Sequence, residues 1–197
     1  MPTIGLILLA AGGSTRLGTP KQLLPYAGKT LLRRAAETAV DSACRPIQVV
    51  LGAAAEQCVL ELRDLPLSTV VNEEWVEGMG SSLRLGLETL LSASPVPLDA
   101  VIVMLCDQPL LTVGTLNALA AAYATTSCPI IASQYGEVSG VPALFDRSLF
   151  PELLDLSGAQ GAKQIFGHHA DQTHKIAFPD GAVDIDTAAD YTRLRRA

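Results

Sequence analysis

Four short apolar runs rich in Ile and Val, Ile4–Leu9, Ile47–Leu51, Ser68–Val71 and Ala100–Leu105, constrain the fold most because they alternate with segments of helical period. Ile4–Leu9 and Ala100–Leu105 carry no polar side chain at all, the pattern of strands covered on both faces. Between the runs, Leu31, Leu32, Ala35, Ala36, Ala39 and Val40 recur at helical spacing behind Thr30, a candidate N-cap. Leu83, Leu87, Leu90 and Leu91 do so behind Ser81 and Ser82, and Val113, Leu116, Leu119, Ala120 and Tyr123 behind Thr112. Strand, helix, strand units of this kind stack right-handedly into a mostly parallel sheet with helices on both faces, an α/β fold. Later, Ile130–Ser133 and Val141–Phe145 read as strands, and Ser148–Leu156, Ala162–Gly167 and Ala188–Arg195 as helices, the last capped by Thr187. No linker or repeat divides the chain, so one domain over residues 1–197 is expected.

Mean hydropathy is +0.32 and 49% of residues are hydrophobic, yet no apolar run approaches the roughly 18 to 20 residues of a spanning helix. Nothing basic precedes Arg16, so Ile4–Leu9 reads as a buried strand rather than a secretory signal, and the expected location is cytoplasmic. Cys44, Cys58, Cys106 and Cys128 form no CxxC pair and no zinc spacing with His168, His169 or His174. The cysteines read as reduced and mostly buried, the histidines as surface residues.

The net charge of −6 argues against a nucleic acid or an anionic membrane as main partner. Its distribution is uneven. Arg16, Lys21, Lys29, Arg33 and Arg34 stand before the first acid, Glu37, while the remainder holds nine basic and twenty acidic residues. An anion site near the amino terminus of an acidic protein follows. In sheets of this kind ligands bind beyond the carboxyl ends of the strands. The segments AAGGSTRLGTPK, NEEWVEGMGSS and CDQP follow three of the predicted strands and should share that edge.

In the first segment, Gly12, Gly13 and Ser14 leave room for backbone N–H groups to approach phosphate oxygens, and Arg16 and Lys21 supply charge. Gly13 to Gly18 satisfies GxxxxG, but Thr19, Pro20 and Lys21 follow where a Walker loop needs Lys and Ser/Thr opening a helix. A dinucleotide GxGxxG is also missing. Asp107 ends an apolar run, which puts a carboxylate at the ligand edge. Asn72, Gly80, Ser81 and Ser82 precede a helix whose free N–H groups would face a ribose or base. Trp75, the sole tryptophan, reads first as a packing residue and second as a stacking surface.

The string LAAGGSTRLGTPKQLLPYAGKTLL resembles the signature LAAGxSxRxGxxK of nucleotidyltransferases with the Rossmann-like nucleotide-diphosphosugar transferase fold. Three further blocks, VVNEEWVEGMGSSLRLGL, MLCDQPLL, and GVPALFDRSLFPELLDLSGAQGAK with VDIDTAADY, narrow the resemblance to the molybdenum cofactor cytidylyltransferases. The resemblance implies that Ala10, Ala11, Gly12, Gly13 and Ser14 line the nucleotide and that Arg16 and Lys21 hold the triphosphate. It implies Mg²⁺ at Asp107 and Asp186, with Asp184 as the alternative second ligand, and catalysis by Lys21, Arg16 and Asp107. The implied partners are CTP, a molybdopterin-type acceptor and, transiently, a molybdenum hydroxylase. The nucleotide falls to the N-terminal part and the acceptor to the C-terminal part. Ala10 and Ala11 stand where guanylyl-transferring relatives tend to have a second glycine, which favours CTP.

Two departures from the family pattern occur. Gly158, Ala159, Gln160, Gly161, Ala162 and Lys163 stand where GDxGAR is usual, and Cys106 stands where Gly usually precedes the Asp. Ala159 lacks a carboxylate and Lys163 lacks the planar fork of Arg. Transfer from GTP or to another phosphorylated acceptor, and a non-catalytic molybdenum cofactor carrier, therefore stand as alternatives.

Overall fold

A computed structural model of the chain describes residues 1–158 and 161–195. In chain order its strands and α-helices are β1 Ile4–Ala10, the two-residue β2 Pro25–Tyr26 and β3 Lys29–Thr30, α1 Leu31–Asp41, β4 Ile47–Leu51, α2 Ala55–Cys58, β5 Ser68–Val71 and α3 Met79–Ala93. There follow β6 Ala100–Leu105, α4 Val113–Thr126, β7 Ile130–Tyr135, β8 Val138–Asp146, α5 Phe150–Leu154, α6 Lys163–His168, β9 Thr173–Ala177 and α7 Ala188–Leu194.

Seven strands form one sheet in the order β5-β4-β1-β6-β8-β7-β9, in which β8 alone runs against the others. The chain winds outward from β1 to β4 and β5, then recrosses through α3 to place β6 on the other side of β1. Leu9 of β1 consequently pairs with Leu105 of β6, and the two loops that follow emerge side by side. That apposition is what positions the site.

The period of two along each strand builds two cores. Leu6, Leu8, Ala10, Ile102 and Met104 pack toward α1, α4 and Cys58, whereas Ile7, Leu9, Val101 and Val103 pack toward α3, α5 and Ile165 of α6. Helix α3 lies close to the sheet because Gly86 has no side chain; a Cβ there would sit 2.7 Å from Val50 and 2.9 Å from Ile7. Thr30 and Thr112 cap α1 and α4 through their hydroxyls, as their positions predict. Thr187 and Asp190 complete a capping box on α7.

Two expectations needed revision, and one strand was not foreseen. The helix expected over Ser148–Leu156 divides into a 3₁₀ turn, Arg147–Leu149, and the five-residue α5, with Pro151 in the first turn where its missing N–H is harmless. The strand expected at Val141–Phe145 extends back to Val138, where it meets β7 in a hairpin. Strand β9 carries no apolar alternation, because as an edge strand it buries little. Cys44, Cys58 and Cys106 are buried free thiols, and His168 and His174 are exposed, as expected. Among the described residues, no helix is long and apolar enough to cross a membrane.

Candidate functional site

Beyond the carboxyl ends of β1 and β6 lies a cleft of about 480 Å³ lined by Ala10 to Gly13, Lys21, Trp75, Ser82 and Asp107, among others. Its floor is the loop that follows β1. Gln22, fully buried, donates from Nε2 to the carbonyls of Ala10 (2.9 Å) and Gly12 (2.8 Å). A trans peptide directs each N–H opposite the preceding carbonyl, so Gln22 turns the N–H groups of Ala11 and Gly13 away from itself. Among the described residues, the N–H groups of Gly12, Gly13 and Ser14 find no acceptor. Ser14 sits at a positive φ of 51°, and its Oγ accepts from the backbone N–H of Lys21 at 2.9 Å, closing the loop onto the lysine. Gly13 lies under the Trp75 ring, which a Cβ would meet at 2.7 Å, whereas a Cβ on Gly12 would meet nothing. The unfilled space at Gly12 and the free N–H groups around it suit phosphate oxygens.

The charged part of the cleft is one cluster. Lys21 Nζ donates to Asp107 Oδ2 at 2.5 Å and to Asp186 Oδ1 at 2.9 Å, and Arg16 reaches Asp186 at 3.3 Å. Asp107 and Asp186, 79 positions apart, thus meet on one ammonium. Burial opposes the charge on Lys21, but the two carboxylates outweigh it and raise its pKa. The same ammonium lowers the pKa of Asp186. Asp184 goes the opposite way: burial, then the neighbouring Asp107 and Asp186, hold its pKa above the usual carboxylate value. A backbone bond from Ile185 N–H to the Asp107 carbonyl, 3.2 Å, ties the two acid-bearing segments together.

The sequence-predicted residues divide. Ala10, Ala11, Gly12, Gly13, Lys21, Ser82 and Asp107 line the cleft; Asp186 joins through Lys21, and Arg16 through Asp186. The methyls of Ala10 and Ala11 also belong to the two cores, one to each face. Asn72 and Ser81 turn inward instead. Asn72 Nδ2 donates to Ser81 and Ser82 at 2.9 Å, and Ser81 donates to the Gly78 carbonyl, so these side chains fix the start of α3. Gly80 packs on the backbone of Ser157 and Gly158. Trp75 both packs against the α3-side core and lines the cleft. Lys163 opens α6 as an exposed residue outside the cleft lining, and Ala159 lies outside the described residues. Sequence reasoning missed Gln22 and Gln108, two buried glutamines adjoining Lys21 and Asp107. Their position beside charged motif residues was the available signal.

Among the described residues, no three His, Cys, Asp or Glu side chains form a ready metal cage. Asp107 Oδ1 is nevertheless buried without a hydrogen-bond partner. A buried, unsatisfied carboxylate oxygen beside Asp186 suits a hard divalent cation, and Mg²⁺ takes one or two carboxylates and completes its shell with phosphates and water.

Residues 6–173 match the MobA-like NTP transferase domain. The chain belongs to that family. This MobA-like nucleotidyltransferase is 33% identical to nicotine blue oxidoreductase of Paenarthrobacter nicotinovorans, covering 98% of this chain and 97% of that one. It is 30% identical to the purine catabolism protein PucB of Bacillus subtilis, over 97% and 95%. Among solved structures, Rv0371c of Mycobacterium tuberculosis H37Rv superposes with a TM-score of 0.84 at 30% identity, covering 100% of this chain and 99% of that chain; it has also been solved with manganese. The expected Rossmann-like nucleotide-diphosphosugar transferase fold is the one present.

Proposed function

We propose that this MobA-like nucleotidyltransferase transfers CMP from CTP to the terminal phosphate of a molybdopterin-type acceptor. The observation that carries the reading is the Lys21–Asp107–Asp186 cluster beside a row of free N–H groups. The loop Ala10–Ser14 receives the nucleotide, with Asn72, Gly80, Ser81 and Ser82 shaping the far wall. Arg16 and Lys21 hold the triphosphate. An acceptor phosphate oxygen attacks the α-phosphorus in line, the new P–O bond forms as the α–β bridging bond breaks, and pyrophosphate leaves with the electron pair. Lys21 stabilises the negative charge that shifts toward the leaving group. Asp107 and Asp186 would hold Mg²⁺, which supplies charge neutralisation at the phosphates when bound. Lys21 Nζ, held beside Asp107 and Asp186, would meet the phosphate oxygens.

Pyrophosphate release, measured with each nucleoside triphosphate with and without molybdopterin, tests the reading. Release that requires both CTP and molybdopterin is expected. Equal or faster release with GTP assigns guanylyl transfer instead, and none with any triphosphate assigns a carrier. The 33% identity to a protein named as an oxidoreductase favours one second reading, hydride transfer. Oxidation of NADH or NADPH by the purified protein that occurs only with added nicotine blue, the hydride passing from the nicotinamide to the dye, would replace the transferase reading with it.

A further inference from the structure

Gln108 follows Asp107 directly and is almost fully buried, 6% exposed. Its Nε2 donates to the Val141 carbonyl of β8 at 2.9 Å and to the Gly181 carbonyl at 3.3 Å. Gly181 belongs to the turn that leads into Asp184 and Asp186. Those two carbonyls fix the orientation of the amide, since a reversed amide would set its oxygen against both. The Gln108 Oε1 then points the other way, and there it is buried without a partner.

A small cavity adjoins it, about 10 Å³ in volume and lined by Arg34, Thr38, Gln108, Pro109 and Leu111, with Leu31 and Ala35 behind. Arg34 Nε is also buried without a partner. The guanidinium lies over the Tyr26 ring, 5.0 Å from its centre. Thr38 stands one helical turn from Arg34 on α1, so both face the same cavity. Arg34 and Gln108 both line this void, and a buried donor and a buried acceptor without partners each carry a desolvation penalty. A cation there would meet Arg34, and an anion would meet the Gln108 carbonyl oxygen. Water accepts from one and donates to the other, and the volume is about that of one water-sized sphere.

We infer that this cavity holds one ordered water molecule bridging Arg34 Nε and Gln108 Oε1, with Thr38 Oγ1 as third partner, and that Gln108 so braced is a positioning residue. Its two ends join α1, β8 and the 179–182 turn to the backbone that carries Asp107. The spacing of Asp107 and Asp186 is set by this crosspiece and by the bond from Ile185 N–H to the Asp107 carbonyl. The water site stands on the geometry alone; the effect on turnover rests on the nucleotidyl-transfer reading.

A crystal structure of the full chain at high resolution tests the first part. One water at about 2.7–3.2 Å from both Arg34 Nε and Gln108 Oε1 is expected. An empty cavity with both side chains placed as here, or Arg34 Nε bonded to a protein atom, overturns the inference. The positioning role is tested with Gln108→Met, which keeps bulk and removes all three hydrogen bonds, and with Thr38→Val, which removes one partner of the water. In Gln108→Met the Ile185 amide should exchange roughly tenfold faster while the capped Tyr191 amide of α7 keeps its rate. Thr38→Val should shift Ile185 exchange in the same direction by less. For turnover, kcat of Gln108→Met should fall at least tenfold with KM for the nucleotide within about threefold, because the Ala10–Ser14 loop is untouched. Unchanged Ile185 exchange, or a rise in KM with kcat kept, sinks the positioning role. If the wild-type chain transfers no nucleotide, the water and the exchange rates still decide the inference.

Discussion

Lys21 carries the charge balance of the cleft, and its surroundings change what its removal should do. A loop lysine in solvent could be replaced at almost no cost in stability, but the Lys21 side chain is only 17% exposed and faces two carboxylates. Lys21→Met leaves Asp107 without its cationic partner and Asp186 with Arg16 alone at 3.3 Å, so the variant should lose on the order of 1–2 kcal/mol of stability, discounted because Asp186 is part-exposed. Transfer should fall by about two orders of magnitude or more. Melting curves and single-turnover rates check the two effects separately; activity within a few-fold of wild type would remove Lys21 from the reaction. Asp107→Asn keeps size and one acceptor but removes the charge a divalent ion needs. It should fold, lose metal-dependent transfer and bind Mn²⁺ at least tenfold more weakly in a calorimetric titration. Both residues were legible in the sequence because they end motif segments. Gln22 and Gln108 were not, because a glutamine's role lies in which carbonyls it meets, and spacing along the chain does not encode that.

At the level of elements, α3 shows how one missing side chain sets a packing distance. Gly86→Val would drive methyl groups into Val50 and Ile7, and the roughly 0.5 kcal/mol gained in helix propensity is smaller than the 1–3 kcal/mol that overpacking costs. A fall in Tm of several degrees is expected, read by calorimetry; an unchanged Tm would mean that the sheet yields there. Apolar periodicity located β1, β4, β6 and the three long helices, since buried faces must repeat at 2 or 3.6 residues. It could not locate β9, whose backbone bonds to β7 require little of its side chains. Nor did it separate the inward Asn72 and Ser81 from the cleft-lining Ser82. Ser81 and Ser82 open one helix and are distinguished only by its rotation about its own axis, while Asn72 is placed by its bonds to both.

For the whole molecule, titration bounds the stable range of pH. Buried Cys44 and Cys58 have raised pKa values, Cys58 to about 11, and burial likewise raises Tyr123 together with its bond to Asp146. The folded chain therefore holds these protons more tightly than the unfolded chain, and stability falls as pH rises from about 8.5, the free thiol value. At the acid end, Asp146 has a lowered pKa: burial works against its charge, but bonds from Ser148 and Tyr123 outweigh it. Its contribution is present above about pH 4 and lost as pH falls through its lowered value. Tm against pH should give a plateau between roughly 5 and 8 with losses on both sides. Cys58→Ala should soften the alkaline loss, and an unaltered alkaline limb would assign it to other groups. The sequence by itself determined the layered α/β architecture and the gathering of small residues and two cations in the first loop. Local periodicity and a contiguous run of residues suffice for both. Only the tertiary structure decided that Asp107 and Asp186 share one lysine. Their meeting depends on β6 crossing back beside β1 and on the 179–186 segment closing over it, and contacts between segments eighty residues apart leave no local trace in the chain.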